Sequence, residues 1–203
     1  IGLAIAKEVM NQGSEVVLLE NNHENIKNTP RNISKFSSII KCDVTNIKEI
    51  KMAMLKIKKM YGGVDIMISN AGAAWQGEIG RVSEKVLKDS FDLNFYAHQY
   101  LSQACVDVML KQNTGGVLLF NISKQAVNPG NNFGPYGIPK ASTMLLMRQY
   151  TIEYGKFGIR SNGVNADRIR SGIVTRDMIS SRAKSRNISQ KEYMSGNLLN
   201  EEV

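Results

Sequence analysis

A tyrosine and a lysine four residues apart, Tyr136 and Lys140, are the pair in this sequence best suited to proton transfer. A helix places residues i and i+4 on one face, one turn from each other. A phenol with a pKa of about 10 is a poor base at neutral pH, and a nearby ammonium group lowers that pKa because it stabilises the phenolate. The spacing therefore predicts that Tyr136 is a general acid/base assisted by Lys140. Taken alone, the pair is equally compatible with two surface residues of a helix.

Two further polar residues support the chemical interpretation. Ser123 ends an apolar strand and could hydrogen-bond a substrate oxygen beside Tyr136. Asn94 lies on a helix face that is otherwise largely apolar and consists of Leu87, Phe91, Asn94, His98, Leu101, Cys105 and Val108. A buried amide needs partners, and a water chain leading towards Lys140 would supply them, although a structural asparagine is the alternative. His98 is interpreted as a core-edge or subunit-interface residue.

Apolar strands and helical patterns alternate along the chain. The predicted helices cover residues 2–12, 45–61 with Thr45 as the cap, 83–111 and 135–157. The predicted strands cover residues 15–20, 38–43, 65–70, 116–123 and 159–165. Such alternation is typical of βαβ units and of a parallel sheet covered on both faces. The sequence therefore predicts one doubly wound, Rossmann-like α/β domain over residues 1–203.

Polar residues follow the predicted strands at the edge where such sheets bind ligands. Glu20 ends one strand, Asp43-Val44 end a second, Asn70-Ala71-Gly72 follow a third, and Ser123 ends a fourth. Ligands of doubly wound folds lie outside the carboxyl ends of the strands, so these residues are expected to share one crevice. Pro139 lacks an N–H donor, so the helix that carries Tyr136 must begin close to that residue.

Composition and charge exclude several other classes of protein. The formal net charge is +8, but the basic residues are scattered, and the cluster Lys56, Lys58 and Lys59 is interpreted as a solvated helix face. No aromatic residues interleave with them, so neither nucleic acid nor a membrane is expected as a partner. Cys42 and Cys105 have no metal-binding spacing and form no disulfide framework. A cytoplasmic protein without a metal is expected.

Four features, in their order along the chain, resemble the motifs of the short-chain dehydrogenase/reductase family. They are Asn70-Ala71-Gly72, Asn94, Ser123 and Tyr136-Gly137-Ile138-Pro139-Lys140. The resemblance covers essentially the whole chain and implies an NAD(P)-dependent oxidoreductase. It implies that Tyr136 is the acid/base and that Lys140 also binds the nicotinamide ribose. By the same resemblance, Ser123 polarises the reacting oxygen and Asn94 supports a proton-relay water.

The resemblance also implies a cofactor cleft. Ile1-Gly2 is similar to the end of the family's glycine-rich turn, Asp43 and Val44 would contact the adenine, and Asn70-Ala71-Gly72 would line the cleft. Glu20 occupies the family's ribose-discriminating position, where a carboxylate accepts hydrogen bonds from both ribose hydroxyls and repels a 2′-phosphate. NAD is therefore expected in preference to NADP, with a strand-end surface acid as the alternative interpretation of Glu20.

Three segments, residues 121–130, 163–172 and 192–199, resemble a particular group within the family. This is the C-terminal dehydrogenase domain of bifunctional rhamnulose-1-phosphate aldolase/short-chain dehydrogenase proteins. It implies oxidation of a small hydroxylated substrate such as lactaldehyde, to lactate, and an aldolase domain before this one. A reductase of another sugar-derived carbonyl and a non-catalytic cofactor-binding domain are the alternatives.

One segment departs from the family pattern. Many members have Pro-Gly after the sixth strand, whereas this chain has Asn165-Ala166-Asp167, followed by Arg168 and Arg170. The two arginines either bind an anionic substrate group or are ordinary surface charges.

The order of the strands also predicts a break and an assembly. In the family's order 3-2-1-4-5-6, residues 15–20 correspond to strand two and residues 65–70 to strand four. Strand one would then precede Ile1. The strands of this chain should form two half-sheets with no hydrogen-bonded ladder between them. The resemblance further implies a homo-oligomer formed through the helices at residues 83–111 and 135–157.

Overall fold

The computed structural model describes residues 1–172, 174–197 and 202. They form two compact units, Ile1–Asn165 and Ala166–Val203, and the prediction of one domain over residues 1–203 stays a prediction. The helices are α1 (Gly2–Asn11), α2 (His23–Lys27), α3 (Arg31–Ser34), α4 (Ile47–Tyr61), α5 (Glu84–Phe91), α6 (Ala97–Gln112), α7 (Gly134–Tyr154), α8 (Arg176–Lys184) and α9 (Gln190–Ser195). The strands are β1 (Val16–Glu20), β2 (Ser37–Lys41), β3 (Ile66–Ser69), β4 (Gly116–Asn121) and β5 (Ile159–Val164).

The strands of the first unit form two parallel sheets. One contains β1 and β2, paired from Val16 with Ser37 to Glu20 with Lys41. The other has the order β3-β4-β5, with Ser69 opposite Phe120 at its carboxyl edge. Among the described residues β1 and β3 share no ladder, which confirms the predicted break. The expectation that an earlier segment supplies the central strand stays a prediction.

The core of the first unit lies between the sheet strands and the helices α4, α6 and α7. Leu118 and Phe120 of β4 are completely buried, and Ile50 of α4 and Met109 of α6 are nearly so. The apolar run of β4 thus becomes a strand that is buried or half-buried along its whole length, as expected of a parallel sheet. This packing places the carboxyl ends of the strands at one rigid edge.

Two predicted helices differ in detail from the structure. Asn46, not Thr45, caps α4, because its side chain accepts from the backbone N–H groups of Lys48 and Glu49. The predicted helix over residues 83–111 is interrupted by a π-helical turn at Asp92–Tyr96, between α5 and α6. Periodicity alone does not reveal one extra residue in a turn, and such turns are frequent at functional sites.

The second unit has its own small core. Ile179 and Ala183 of α8 and Met194 of α9 are buried. Ser189 and Glu192 form a reciprocal capping box at the start of α9. In the described part of the chain, no helix combines the length and apolar character needed to span a membrane.

Candidate active site

Lys140 lies in the second turn of α7 and is almost completely buried, with 2% of its surface exposed. Its Nζ donates to the carbonyl of Asn121, 3.0 Å away at the end of β4. Burial lowers the pKa of this lysine to about 8, because a charged ammonium loses hydration inside the protein. The site therefore contains a buried cation whose protonation changes near physiological pH.

Tyr136 precedes Lys140 by one turn, and Nζ of the lysine is 5.9 Å from the centre of the phenol ring. The helix begins at Gly134, close to Tyr136, which confirms the expectation drawn from Pro139. Burial raises the pKa of Tyr136, and a hydrogen bond with Ser123 acts in the opposite direction. We expected Lys140 to lower this pKa. In the chain by itself burial of the phenol dominates and the pKa is raised, and the effect of Lys140 on the phenol stays a prediction.

Ser123 follows β4 and starts a short 3-10 turn at Lys124–Ala126. Its Oγ accepts from the backbone N–H of Gln125 at 3.2 Å, so its own hydrogen is available for the hydrogen bond with Tyr136. A donor of this kind favours the phenolate over the phenol. The serine and the tyrosine thus approach each other from different elements, at a position where a substrate oxygen could lie between them.

Asn94 lies fully buried in the π-helical turn and binds the loop that follows β3. Its Nδ2 donates to the carbonyl of Ala73 at 2.9 Å and to Ser90 Oγ at 3.0 Å, and its Oδ1 accepts from the N–H of Ala73 at 3.3 Å. The sequence predicted water as the partner of this amide. The structure gives the side chain three protein partners, and the predicted water chain towards Lys140 stays a prediction. The proton-relay role stays a prediction.

Ser90 connects Asn94 to the helix that carries Tyr136. Its hydroxyl donates to the carbonyl of Pro135 at 2.7 Å. In a regular helix the N–H of residue 139 would bond that carbonyl, but Pro139 has no N–H. Ser90 therefore satisfies an acceptor that Pro139, between Tyr136 and Lys140, leaves unpaired.

Thr143 makes the corresponding contact with the backbone of Asn94. Its Oγ1 donates to the Asn94 carbonyl at 2.6 Å, across 49 residues of sequence. This carbonyl lies in the π-helical turn at Asp92–Tyr96, so α7 contacts the backbone of that turn as well as the region around Ser90. Ser90 and Thr143 together fasten Asn94 to α7.

His98 is the second residue of α6 and contacts the lysine directly. Its Nε2 is 3.4 Å from Lys140 Nζ, and its Nδ1 is 2.6 Å from Ser69 Oγ. The ring is 1% exposed, so the interpretation of His98 as a core-edge or interface residue is wrong. Sequence reasoning missed Ser69, Ser90 and Thr143 altogether. One signal was present: Ser90, Asn94 and His98 repeat at intervals of four residues on a mainly apolar helix face.

The loop after β3 passes very close to this network. A Cβ atom at Gly72 would lie 2.9 Å from Asn94 Oδ1 and 3.5 Å from Lys140 Nζ. Only a glycine allows the backbone to approach this closely. Asn70 precedes it, and its Oδ1 accepts from Asn121 Nδ2 at 2.9 Å. The Asn70-Ala71-Gly72 segment therefore lies against the lysine, as the sequence predicted for residues of one crevice.

The residues predicted to bind the adenosine half of a cofactor lie at the other strand ends. Ile1 caps α1, and a Cβ atom at Gly2 would lie 2.8 Å from Asn70 Nδ2. The N-terminus of a ten-residue helix thus abuts the strand edge with a glycine at the point of closest approach. This arrangement suits the pyrophosphate of a dinucleotide.

Glu20 and Asp43 end β1 and follow β2, respectively. Glu20 Oε1 accepts from the N–H of Asn22 at 2.8 Å. Asp43 Oδ1 accepts from both the N–H and the hydroxyl of Thr45, while its own N–H donates to Glu49. Val44 packs against the core. Each carboxylate is therefore oriented by its own loop, and the residues present fit a dinucleotide at this edge.

The comparison with known families agrees with this geometry. The profile of the family described as short chain dehydrogenase matches residues 1–182. The chain belongs to the short-chain dehydrogenase family.

One sequence relative of this short-chain dehydrogenase is the uncharacterized oxidoreductase YuxG of Bacillus subtilis, 28% identical over 177 residues. The match covers 85% of the present chain, which spans only about a quarter, 26%, of that relative.

Solved structures show the same Rossmann-like α/β fold. Sorbitol-6-phosphate 2-dehydrogenase SrlD from Erwinia amylovora superposes with a TM-score of 0.90 at 16% identity, over 100% of this chain and 82% of that one. NAD+-bound xylitol dehydrogenase superposes with a TM-score of 0.88 at 18% identity, over 98% of this chain and 81% of that one. At these identities the likeness establishes the fold alone.

The second unit of this short-chain dehydrogenase contains the two arginines left open by the sequence. Arg168 donates to the carbonyl of Tyr193, lies over the ring of that tyrosine and is 3.6 Å from Asp167. Arg170 forms a two-pronged ion pair with Glu202. Both guanidinium groups thus have partners within their own unit, and binding of an anionic substrate by either one stays a prediction.

Proposed function

We propose that this chain catalyses hydride transfer between NAD and a hydroxyl-bearing carbon of a small, hydroxylated substrate. The observation that carries the proposal is the hydrogen bond between Ser123 and Tyr136 beside a buried Lys140. These groups come from β4 and α7, and the Asn94 network ties α7 to the loop after β3.

The three side chains would divide the proton chemistry among them. Ser123 would orient the reacting oxygen of the substrate against Tyr136. In the oxidative direction Tyr136 Oη takes the hydroxyl proton, and in the reductive direction it returns that proton. A nicotinamide bound in the cleft supplies the hydride acceptor or donor. Lys140 stabilises the phenolate through its charge once the ribose and substrate close the site.

NAD is the proposed cofactor in preference to NADP. The carboxylate of Glu20 ends β1, and its Oε1 already accepts from the loop N–H of Asn22, which orients the group. A carboxylate at that point suits two ribose hydroxyls and repels a 2′-phosphate. The residues that follow are the neutral Asn21 and Asn22, which provide no cation for a phosphate.

The proposed substrate class is a small polyol or hydroxyaldehyde. Two enzymes that share this fold are named as dehydrogenases of sorbitol 6-phosphate and of xylitol. Lactaldehyde, oxidised as its hydrate to lactate, is the specific member suggested by the resemblance to aldolase/dehydrogenase fusions. The B. subtilis relative is longer than the segment that it shares with this chain, which makes up 26% of it.

We also propose that the protein forms a homo-oligomer through α6 and α7. Leu145 and Ile152 of α7 are 64% and 76% exposed, and Tyr96, next to α6, is 41% exposed. A second copy would cover these apolar side chains.

Activity and cofactor binding of Tyr136→Phe test the proposed reaction. NADH formation is followed with NAD or NADP and a panel of polyols and hydroxyaldehydes that includes lactaldehyde. In Tyr136→Phe the ring still packs and the acid/base oxygen is gone, so turnover should fall by about 10²- to 10⁴-fold while NAD affinity changes little. The natural full-length protein is the material of choice.

Two results would contradict the proposal. Unchanged turnover in Tyr136→Phe would remove the acid/base assignment, and tighter binding of NADP than of NAD would remove the assignment of Glu20. Absence of turnover with every substrate, despite NAD binding, would favour a non-catalytic cofactor-binding domain.

A further inference from the structure

His98 connects three separate elements behind the lysine of the candidate site. It stands at the start of α6, while Ser69 ends β3 and Lys140 belongs to α7. The imidazole bridges the serine hydroxyl and the lysine ammonium, at 2.6 Å from Ser69 Oγ and 3.4 Å from Lys140 Nζ. All three side chains are at most 4% exposed, so bulk water does not compete for these contacts.

The contact with Lys140 determines the protonation of the ring. An ammonium group has three donors and no acceptor, so an imidazole nitrogen beside it must be unprotonated to accept. With Nε2 as the acceptor, the ring proton lies on Nδ1 and is donated to Ser69 Oγ. The other tautomer would place an N–H of the ring against an N–H of the lysine, and the backbone of Ala71 is the competing acceptor for a ring N–H.

The surroundings keep the ring neutral. Burial and the charge of Lys140 together place the pKa of His98 well below its usual range, although a hydrogen bond with the backbone of Ala71 acts in the opposite direction. The titratable groups that face Lys140 are His98 from α6 and Tyr136 from its own helix. β4 contributes only the Asn121 carbonyl, and the loop after β3 contributes the backbone of Gly72.

We infer that His98, oriented by Ser69, is a positioning residue for Lys140. The inference rests on the proposed function for its meaning in catalysis. Asn121 and His98 each accept one N–H of the ammonium, which leaves the third N–H for the cleft beside Tyr136. Two fixed acceptors also favour the protonated lysine and so oppose the effect of burial.

The tautomer can be measured without any turnover. The chain has two histidines, exposed His23 and buried His98, so ¹⁵N-histidine labelling gives two sets of ring signals that His98→Gln assigns. At pH 7 we expect His98 to be neutral, with the proton on Nδ1. A charged ring, or the proton on Nε2, would overturn the inference, because Lys140 would then lack its second acceptor.

Matched substitutions test the effect on the lysine. His98→Met fills the space without an acceptor, whereas Gln places an amide oxygen near the position of Nε2. In His98→Met the alkaline pKa in the pH profile of kcat/KM should fall by about one unit, the worth of one hydrogen bond to a charged group. kcat should fall by about tenfold through misplacement of the ammonium, with NAD affinity unchanged. His98→Gln should restore most of both.

Further outcomes separate this inference from the proposed function. If the wild type is active and His98→Met has the same pH profile as the wild type, the positioning role is overturned and the proposed function stays intact. An inactive wild type would contradict the proposed function, and the tautomer would still decide the contact between His98 and Lys140. Ser69→Ala is the milder variant should His98→Met not fold. It removes the acceptor of the Nδ1–H while Lys140 stays in contact with Nε2, so a smaller fall of the same alkaline pKa is expected, and an unchanged pH profile would remove Ser69 from the inference.

Discussion

The two ends of the cleft are built in different ways. At the end that contains Lys140, hydrogen bonds join residues 19 to 51 positions apart, such as Thr143 with Asn94 and Ser90 with Pro135. At the end that contains Glu20 and Asp43, the bonds span two to six positions and lie in exposed or half-buried loops.

The end that contains Lys140 depends on the folded core, and the end that contains Glu20 and Asp43 does so much less. The end that contains Lys140, here called the catalytic end of the proposed site, forms only when β3, β4, α6 and α7 have assembled. Each of its side chains has a partner on another element. The end that contains Glu20 and Asp43, here called the adenosine end of the proposed site, consists of loops that orient their own carboxylates. Substitutions at the catalytic end should therefore affect stability and chemistry together, and those at the adenosine end should act locally.

The largest expected effect comes from the buried charge of Lys140. Its pKa is lowered from 10.5 to about 8, so between these pH values the unfolded chain binds a proton that the folded chain does not. Stability conferred by this group is complete above pH 10.5 and is lost as the pH falls to 8. Relative to Lys140→Met, the wild type should gain about 3 kcal/mol of unfolding free energy across this range.

Chemical denaturation at several pH values, with a reductant present, measures this gain. Ionisation of Cys42, Cys105 and Tyr150 occurs in both proteins and cancels in the difference. Lys56→Met removes an exposed lysine of α4 instead of a buried one and is the matched control. A flat difference for Lys140→Met would mean that the ammonium is hydrated in the folded state.

An intermediate effect is expected for Ser90→Ala. The change leaves the Pro135 carbonyl without its donor and Asn94 without one acceptor, inside a fully buried network. Unsatisfied buried groups of this kind cost about 1–3 kcal/mol of unfolding free energy. Ser142→Ala, which removes a hydroxyl bonded only to its own helix at Ile138, should cost much less in the same urea titration. Equal losses in the two variants would argue against the network.

The smallest effect is expected at the adenosine end. Thr45→Val removes the hydroxyl bond to Asp43 but leaves the backbone bond to the same carboxylate, so the loss should stay below about 1 kcal/mol. Thr143→Val makes the same chemical change at the catalytic end, where it removes the bond to the Asn94 carbonyl, and should cost more. The ratio of the two losses, from paired denaturation curves, measures the difference between the two ends. A larger loss of unfolding free energy in Thr45→Val than in Thr143→Val would contradict the difference drawn between the two ends.

The fold and the reactive residues were largely accessible from the sequence. Continuous apolar runs predicted the parallel strands, and the i, i+4 spacing placed Tyr136 beside Lys140, since both signals depend on local periodicity. The break between β1 and β3 followed from strand order. Periodicity did not reveal the π-helical turn around Asn94, and Thr45 was mistaken for a cap because Asn46 offers the same capping chemistry one residue later.

A phenol, an ammonium, a hydroxyl and an amide at strand ends and on two helices could be identified from the amino-acid order. The partners and the protonation of these groups depend on contacts that form only when the chain folds. Ser90 meets Pro135 across 45 residues, and His98 meets Lys140 across 42, distances in sequence that no local pattern connects. The pKa values of Lys140 and His98 change because the assembled core removes water from them, and desolvation is a property of the folded surroundings rather than of the residue.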